Sequence, residues 1–360
     1  MIILGSTGSI GINALNIARD FSLPVDAICA NTNVELLNKQ IKEFNPKYVT
    51  IGDESLRSKV NHNKVFVGAN GILAMLELCY EKDTLLINAI VGFAGLRPTM
   101  KAIELGYKLA LANKESLVVA GMFIDTSKIV PIDSEHFGLW YLQNERCFKR
   151  LIITASGGAF RDTPINLLKN MSPNDALNHP NWKMGKKITI DSATMTNKLF
   201  ELLEAKWLFK TNDVDAIIEA KSVVHALIDF EDGSTTAHFA SANMKLPIAY
   251  AILNRVDGAI LENIDLLKIQ NLEFKKIDEN RYPIWQIKDL LLEKSELGVV
   301  VNRANEEAIK LFFDGKISFT DISNLSLCAI KEFENIKIST MQDIFLVDEE
   351  VKKFIKLQKL

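Results

Sequence analysis

Residues 2–11 read IILGSTGSIG, and this stretch decides the fold. Ile2, Ile3 and Leu4 form a short apolar run of the kind that becomes a buried strand. Gly5, Gly8 and Gly11 follow at three-residue spacing and open a helical pattern. A strand, a glycine turn and a helix N-terminus aim backbone N–H groups at one point, which suits a pyrophosphate. The spacing is GxxGxxG rather than GxGxxG, so the reading needs support from its surroundings. An ordinary glycine-rich turn is the alternative.

That support comes from the next hundred or so residues. Apolar runs recur at VDAICA (25–30), YVTIG (48–52), KVFVG (64–68), LLINAI (85–90) and KLALA (108–112), each followed by helical spacing. IVPID (129–133) reads as one further strand. Strands alternating with helices predict βαβ units and a doubly wound parallel sheet of the Rossmann type. The second strand ends Ala30-Asn31-Thr32-Asn33, without the carboxylate that NAD sites set against the ribose hydroxyls. An uncharged end tolerates a 2′-phosphate, so NADP is expected unless this loop stays clear of the ribose.

The remainder reads differently. LIITA (151–155) and KKITI (186–190) have strand character, and the polar stretch between Arg161 and Lys187 has the composition of a lid. VVHALIDFEDGSTTAHFA (223–240) reads as a hairpin around Asp232-Gly233. The region from about 256 to 290 is mixed. Beyond it, Ala304, Ala308, Leu311 and Phe312 recur at helical spacing, with Gly315 as a stop. Ser339 and Gln342 have capping-box spacing ahead of an apolar stripe of Val347, Val351, Phe354 and Ile355.

Composition excludes several classes of function. The 360 residues are 48% hydrophobic and 24% charged, enough to bury a large core and unlike a disordered chain. A net charge of -3 gives no reason to expect nucleic-acid binding. No apolar run approaches the roughly 20 residues of a membrane span. The N-terminus lacks the pattern of a secretion signal. Cys29, Cys79, Cys147 and Cys328 are scattered without a CxxC pair, which argues against a disulfide framework and for a reducing, cytoplasmic setting.

Several residues can carry chemistry. Lys114, in LANKES (111–116), follows a strand whose C-terminal end faces the ligand crevice, although a solvated lysine fits as well. Asp133 and Glu135 flank Ser134 after a strand; if extended, their carboxylates share a face. They are either solvated or ligands of a hard cation such as Mg²⁺ or Mn²⁺. In DSATMTNKLFE (191–201), Asn197, Lys198 and Glu201 fall on one helix turn after Ser192 and Thr194. Serine, asparagine and lysine suit a phosphate, Glu201 suits a metal, and a capped surface helix is the alternative. ASGG (155–158) offers Ser156 and two glycines, as anion cradle or plain turn. His179 lies in the lid and His225 on a strand, where a structural role is common.

Taken together these segments resemble a family. GSTGSIG, NAIVGFAGL (88–96), LANKESLV (111–118), PIDSEH (131–136), TASGGAFR (154–161), HPNWKMGKKITIDSATMTNK (179–198) and VNRANEEA (301–308) are similar, in order, to the 1-deoxy-D-xylulose 5-phosphate reductoisomerases. The resemblance implies an NADPH-binding Rossmann-like domain over 1–133 and a central α+β catalytic and dimerisation domain over 134–255, with a flap at about 176–187. It also implies a linker over 256–290, a helical domain over 291–360 and a homodimer. The implied reaction is a metal-dependent retro-aldol and aldol rearrangement of 1-deoxy-D-xylulose 5-phosphate, then NADPH-dependent reduction to 2-C-methyl-D-erythritol 4-phosphate. This is the committed step of non-mevalonate isoprenoid synthesis.

By the same resemblance, Asp133, Glu135 and Glu201 are the ligands of Mg²⁺, Mn²⁺ or Co²⁺. Ser156, Ser192, Asn197 and Lys198 match the phosphate site, and His179 a flap histidine near the substrate. Lys114 and Ser134 match substrate contacts, and Trp182 and Met184 match flap residues that cover the substrate and nicotinamide. His225 and Met244 match further active-site positions. Lys114, Glu135 and His179 are the catalytic candidates. Thr7, Gly8, Ser9, Ile10, Asn33, Asn113, Glu115 and Gly185 match NADPH contacts, to which the strand-end residues Asn31 and Thr32 are added. The chain departs from the family pattern at Thr32, commonly lysine, at Leu199, commonly glycine, and at EAKS (219–222), commonly HPQS. Without the resemblance, another NADP-dependent dehydrogenase or a nucleotide-sensing module would fit the glycine loop, but neither needs the three carboxylates.

Overall fold

Seven short strands make the first sheet: β1 (Ile2–Leu4), β2 (Ala27–Ala30), β3 (Tyr48–Ile51), β4 (Val65–Val67), β5 (Leu85–Asn88), β6 (Lys108–Leu111) and β7 (Ile129–Pro131). The computed structural model describes residues 1–358. Every pairing is parallel, in the order β4-β3-β2-β1-β5-β6-β7. Ile2, Ile3, Leu4, Ala27, Ile28, Leu86 and Ile87 have no exposed surface, as continuous apolar runs in a doubly covered parallel sheet require. The strand order reverses at β1, which puts the topological switch point beside the glycine loop.

This unit comprises Met1–Ser116, Ile124–Ser134 and Met244–Leu261. It departs from the expected domain 1–133 by gaining the last segment and lacking Leu117–Phe123. The reason for the gain is an apolar helix, Lys245–Leu253, which packs on the helix Ser9–Asp20. Its Ile248, Ala249 and Ala251 are fully buried in the core of this unit.

The second unit holds Leu117–Phe123, Glu135–Asn243 and the chain from Glu262 onward. Its sheet contains β8 (Phe148–Ala155), β9 (Val214–Glu219), β10 (Val224–Phe230), β11 (Thr235–Phe239) and β12 (Phe274–Lys275), ordered β11-β10-β8-β9-β12. Strands β8 and β9 are parallel, and the other pairs are antiparallel. Strands β10 and β11 form the expected hairpin around Asp232-Gly233.

The stretch 256–290 is divided between the units rather than forming one linker, and it carries β12 and the short helix Leu266–Ile269. The helices Gly298–Phe313, Phe319–Glu332 and Met341–Leu357 pack on one another and belong to this second unit. Long-range bonds tie the chain just ahead of these helices to the loop that follows β8. Arg281 donates to the carbonyls of Phe160 (2.8 Å) and Thr163 (2.6 Å), and Tyr282 donates to that of Gly157 (2.8 Å).

Two local expectations are corrected. KKITI is not a strand but part of a helix, Lys186–Thr194. Helical spacing lets Lys187 pair with Asp191 at 2.8 Å and lets the Thr189 hydroxyl donate to Gly185 O at 2.8 Å. It also turns Asp191 toward Asn305, whose amide donates to it at 2.6 Å. The last helix is capped one residue later than expected, by Thr340 with Asp343 rather than by Ser339 with Gln342. The Asp343 carboxylate accepts both the Ser339 and Thr340 N–H groups, a stronger anchor than an amide supplies.

Candidate active site

In the first unit, β1 delivers its chain end to a loop held from two sides. Gly5 and Ser6 donate their N–H groups to Cys29 O, while Ala89 N–H donates to Leu4 O. Gly5 has φ +82°, and a Cβ there would stand 2.6 Å from Ala89 O, so only glycine fits. Ser6 donates to Gln40 Oε1 at 2.7 Å, and Gln40 returns a bond to Ser6 O at 2.8 Å. Gly8 is the N-cap of the helix Ser9–Asp20, which has no side-chain cap and no acidic residue in its first turn. Its first N–H groups are therefore suited to an anion. Thr7 and Ile10 are half-buried, and Gly8 and Ser9 are exposed.

At the end of β2, Asn31, Thr32 and Asn33 are all exposed. Asn33 accepts the Leu36 N–H at 3.1 Å and so caps the helix Val34–Phe44. Asn113 is buried, and its amide donates to Ile90 O (2.7 Å), Gly92 O (2.8 Å) and Glu115 (3.2 Å). Its oxygen accepts from Ser116. Asn113 thus holds the NAIVGFAGL loop against LANKES. Lys114, also buried, forms an ion pair with Asp133.

Asp133 and Glu135 do not lie on an extended segment. β7 ends at Pro131, and Ser134 and Glu135 open the helix Ser134–Leu142. In the second unit, Glu135 and Glu201 offer carboxylate oxygens within 4.8 Å of each other. Lys198 bridges them: its Nζ donates to Glu135 at 2.8 Å and also to Glu201. Asn197 donates to Glu201 as well. All four residues are buried. Asn197, Lys198 and Glu201 share the first turns of the helix Thr196–Phe209, as their spacing predicted. His136 adds a crossing bond at 2.8 Å between its Nε2 and Glu201 O, which fixes the two carboxylate-bearing helices together. Leu199, in place of the family glycine, is buried and leaves that spacing intact.

A second cluster stands at the end of β8. Ser156 Oγ bonds His179 Nε2 at 2.8 Å. Gly158, with φ +70°, lies against the helix that carries Ser192: a Cβ on it would stand 2.6 Å from Ser192 O. Between that helix and the next, Met195 turns the chain in a left-handed conformation, φ 72°, so Ser192 and Lys198 sit on either side of one bend. Burial and the positive charges of Lys198 and Arg161 push the His179 imidazole down to about 4, so it is neutral at physiological pH. Neighbouring cations of this kind favour a phosphate. Trp182 is half-buried, with its ring 5.9 Å from that of His225. His225 is buried and bonds Ala240 O at 3.1 Å. Gly185 is the N-cap of the helix Lys186–Thr194. Met244 is partly buried and packs on the core of the first unit.

Three residues of this cluster were not singled out by sequence. Arg161 donates to Ser156 O and Ala220 O, both at 3.0 Å. Asn181 reaches Ala220 O and Ser222 Oγ, both at 2.8 Å. Glu219 is buried and gathers backbone N–H groups around it. The signals were present: TASGGAFR contains Arg161, HPNW contains Asn181, and EAKS begins at Glu219. What could not be read is that they meet.

A glycine loop at the switch point of a parallel sheet marks a Rossmann-type, dinucleotide-dependent enzyme, and the buried carboxylate–lysine cluster marks one that acts on small charged substrates. Comparison with known proteins narrows the class. The family model described as 1-deoxy-D-xylulose 5-phosphate reductoisomerase matches residues 1–121, and its C-terminal domain matches 129–209. A further DXP reductoisomerase C-terminal domain matches 239–354. The 1-deoxy-D-xylulose 5-phosphate reductoisomerase of Nautilia profundicola is 55% identical over 362 residues, covering 98% of each chain. That of Campylobacter curvus is 53% identical over 360 residues, covering 99% of this chain and 98% of the other. A solved DOX-P reductoisomerase in complex with NADPH, fosmidomycin and magnesium superposes with a TM-score of 0.91 at 30% identity, covering 99% of this chain and 97% of that one. The Zymomonas mobilis enzyme in complex with NADPH gives 0.86 at 31% identity, with 99% of each chain covered. The chain belongs to the 1-deoxy-D-xylulose 5-phosphate reductoisomerase family.

Proposed function

We propose that this chain converts 1-deoxy-D-xylulose 5-phosphate to 2-C-methyl-D-erythritol 4-phosphate, by retro-aldol and aldol rearrangement followed by reduction with NADPH. It thereby performs the committed step of non-mevalonate isoprenoid synthesis. The observation that carries the reading is Lys198 held between the buried carboxylates of Glu135 and Glu201. Buried carboxylates persist only where positive charge is close, so this pair suits a cation. Asp133, two residues before Glu135, completes a three-carboxylate set for Mg²⁺, Mn²⁺ or Co²⁺. Glycine loop residues 5–11 are the cradle for the NADPH pyrophosphate. Asn31, Thr32 and Asn33 face its ribose, and Asn113 acts through the loop it holds.

When bound, the cation polarises the oxygens of the ketose phosphate and NADPH supplies the hydride. The protein's own residues bind and orient. Lys114 keeps a positive charge at the end of β6, paired with Asp133 until an oxyanion develops. Ser156, Ser192, Asn197 and Lys198 hold the phosphate, whose binding energy orients the reacting carbons, and His179 is the flap histidine beside the substrate. Trp182 excludes water from the cleaved fragments. The work is divided between a cofactor domain and a catalytic domain with its flap.

We also place the enzyme in the cytoplasm as a homodimer, and no helix among the described residues is long and apolar enough to cross a membrane. Support for self-association comes from the second unit. β11 is an unpaired sheet edge, and Phe239 on it is 39% exposed, with Trp140 at 41% and Tyr141 at 52%.

The deciding experiment follows NADPH absorbance with 1-deoxy-D-xylulose 5-phosphate after chelator treatment, with and without Mn²⁺. Oxidation that appears only with Mn²⁺ is expected. Oxidation unaffected by the chelator would remove the carboxylate set from the mechanism.

A further inference from the structure

The segment that carries His179 contains Pro180 and makes little regular structure, so something outside it must aim the imidazole. The bonds at the ring show what is being aimed. His179 Nδ1 accepts two backbone N–H groups, from Asn181 at 3.1 Å and from Trp182 at 3.0 Å. A nitrogen that accepts cannot carry the proton, so the neutral ring carries it on Nε2. Nε2–H then donates to Ser156 Oγ at 2.8 Å, and Gly158 N–H donates to the same oxygen at 3.1 Å. With both acceptor positions of Ser156 Oγ filled, its own hydrogen is left to donate to a further partner.

The anchor of this arrangement lies in the EAKS turn, where the chain departs from its family. Glu219 is 1% exposed. Its carboxylate accepts the N–H groups of Lys221 (2.7 Å), Val223 (2.9 Å) and Val224 (3.2 Å). These bonds hold a tight turn in which Ser222 adopts a left-handed conformation, φ 54°. The turn presents Ala220 O and Ser222 Oγ to the Asn181 amide, which donates to both at 2.8 Å. Ala220 O also accepts from Arg161, whose same nitrogen donates to Ser156 O. One carbonyl therefore ties down both members of the Ser156–His179 pair: one through Arg161, the other through Asn181.

We infer that Asn181 and Glu219 are positioning residues, which hold His179 as the Nε2–H tautomer so that its N–H fills an acceptor position of Ser156 Oγ and the Ser156 hydroxyl hydrogen is left to donate to the substrate's phosphate. The inference rests on the reading above that Ser156 faces that phosphate. Asn181 is exposed, so replacing it leaves the core unchanged.

The test uses full-length protein with ¹⁵N-labelled histidine. Long-range ¹H–¹⁵N spectra of the wild type are expected to show His179 as a single Nε2–H tautomer at pH 7.5. In Asn181→Ala the His179 signals should move toward a mixture of tautomers. KM for 1-deoxy-D-xylulose 5-phosphate should rise about tenfold, the scale for losing neutral hydrogen bonds, while KM for NADPH stays within about twofold. Glu219→Gln, which sets an amide against N–H groups, should shift the tautomer in the same direction. A Nδ1–H tautomer in the wild type, or an unaltered tautomer in Asn181→Ala, would overturn the positioning role. A tautomer that becomes mixed with no change in KM would overturn the phosphate reading instead.

Discussion

The glycine loop of the first unit and the carboxylate–lysine cluster of the second are built in opposite ways. The loop is made of backbone. Its shape comes from φ +82° at Gly5, from N–H groups bonded to Cys29 O, and from a helix start left without a side-chain cap. The cluster is made of side chains drawn from two helices, with Lys198 and Glu135 separated by 63 positions in sequence. A backbone site tolerates almost any side chain that does not collide with it. A side-chain site fails when a single charge is removed, because the partners left behind are buried and unpaired. The two should therefore break separately.

Glu201→Gln is the most severe break. It removes a buried negative charge and leaves Lys198 with one carboxylate fewer. Metal-dependent turnover should fall about a thousandfold or more, the scale of losing a principal electrostatic group in a water-excluded site. NADPH affinity, measured by fluorescence titration, should be unchanged. Near-normal turnover at ordinary Mg²⁺ would take Glu201 off the ligand set.

Gly5→Ala breaks the other region. The new Cβ meets Ala89 O, and the backbone sits where alanine is strained. Overpacking and strain together should cost about 2–4 kcal/mol, divided between unfolding stability and NADPH affinity. Mn²⁺ binding measured without NADPH should be retained. A loss of Mn²⁺ affinity equal to the loss of NADPH affinity would mean that the regions are not independent.

This contrast also explains what was legible in the sequence. The loop was legible because glycine spacing after an apolar run is a local signal, and so were the seven strands that frame it. Asn197, Lys198 and Glu201 were legible as one helix turn, since i, i+1 and i+4 is local too. The bridge from Lys198 to Glu135 was not, because nothing local says which carboxylate a lysine will meet. KKITI misled for a related reason. Its alternation suits a strand, but Asp191 finds Lys187 within the helix and Asn305 outside it, and those bonds outweigh the propensity of two isoleucines. The helix Lys245–Leu253 went unassigned in the sequence; it is apolar, and nothing local says that Ile248, Ala249 and Ala251 are buried in the core of the first unit.

Lys198→Ala sharpens the comparison from within the second unit. If Lys198 is the phosphate's point charge, phosphorylated ligands should weaken by about 1.5–3 kcal/mol, the scale for charged hydrogen bonds. The variant also leaves Glu135 and Glu201 facing each other without their bridge, so divalent-cation affinity should hold or rise. An unchanged substrate KM would contradict the phosphate role, and a fall in cation affinity would show that Lys198 supports the carboxylates rather than neutralising them.

The smallest effect is expected from pH. Burial, Lys198 and Arg161 hold His179 down to about 4, against an ordinary value of 6.5. His179 should then contribute no inflection to the pH–rate profile between pH 6 and 8, since its charge does not change there. Its signature appears in stability. Below pH 6.5 the unfolded chain takes up a proton that the folded chain refuses until about pH 4, so the unfolded state binds more protons and stability falls across that window. His238, also pushed down to about 4 by burial and by His225, acts in the same direction. Urea midpoints at pH 7.5 and pH 5.0 should therefore drop for the wild type, and drop less for His179→Gln, which has no proton to refuse. Equal drops in both proteins would mean that neither burial nor the charges of Lys198 and Arg161 hold the His179 proton off in the folded chain.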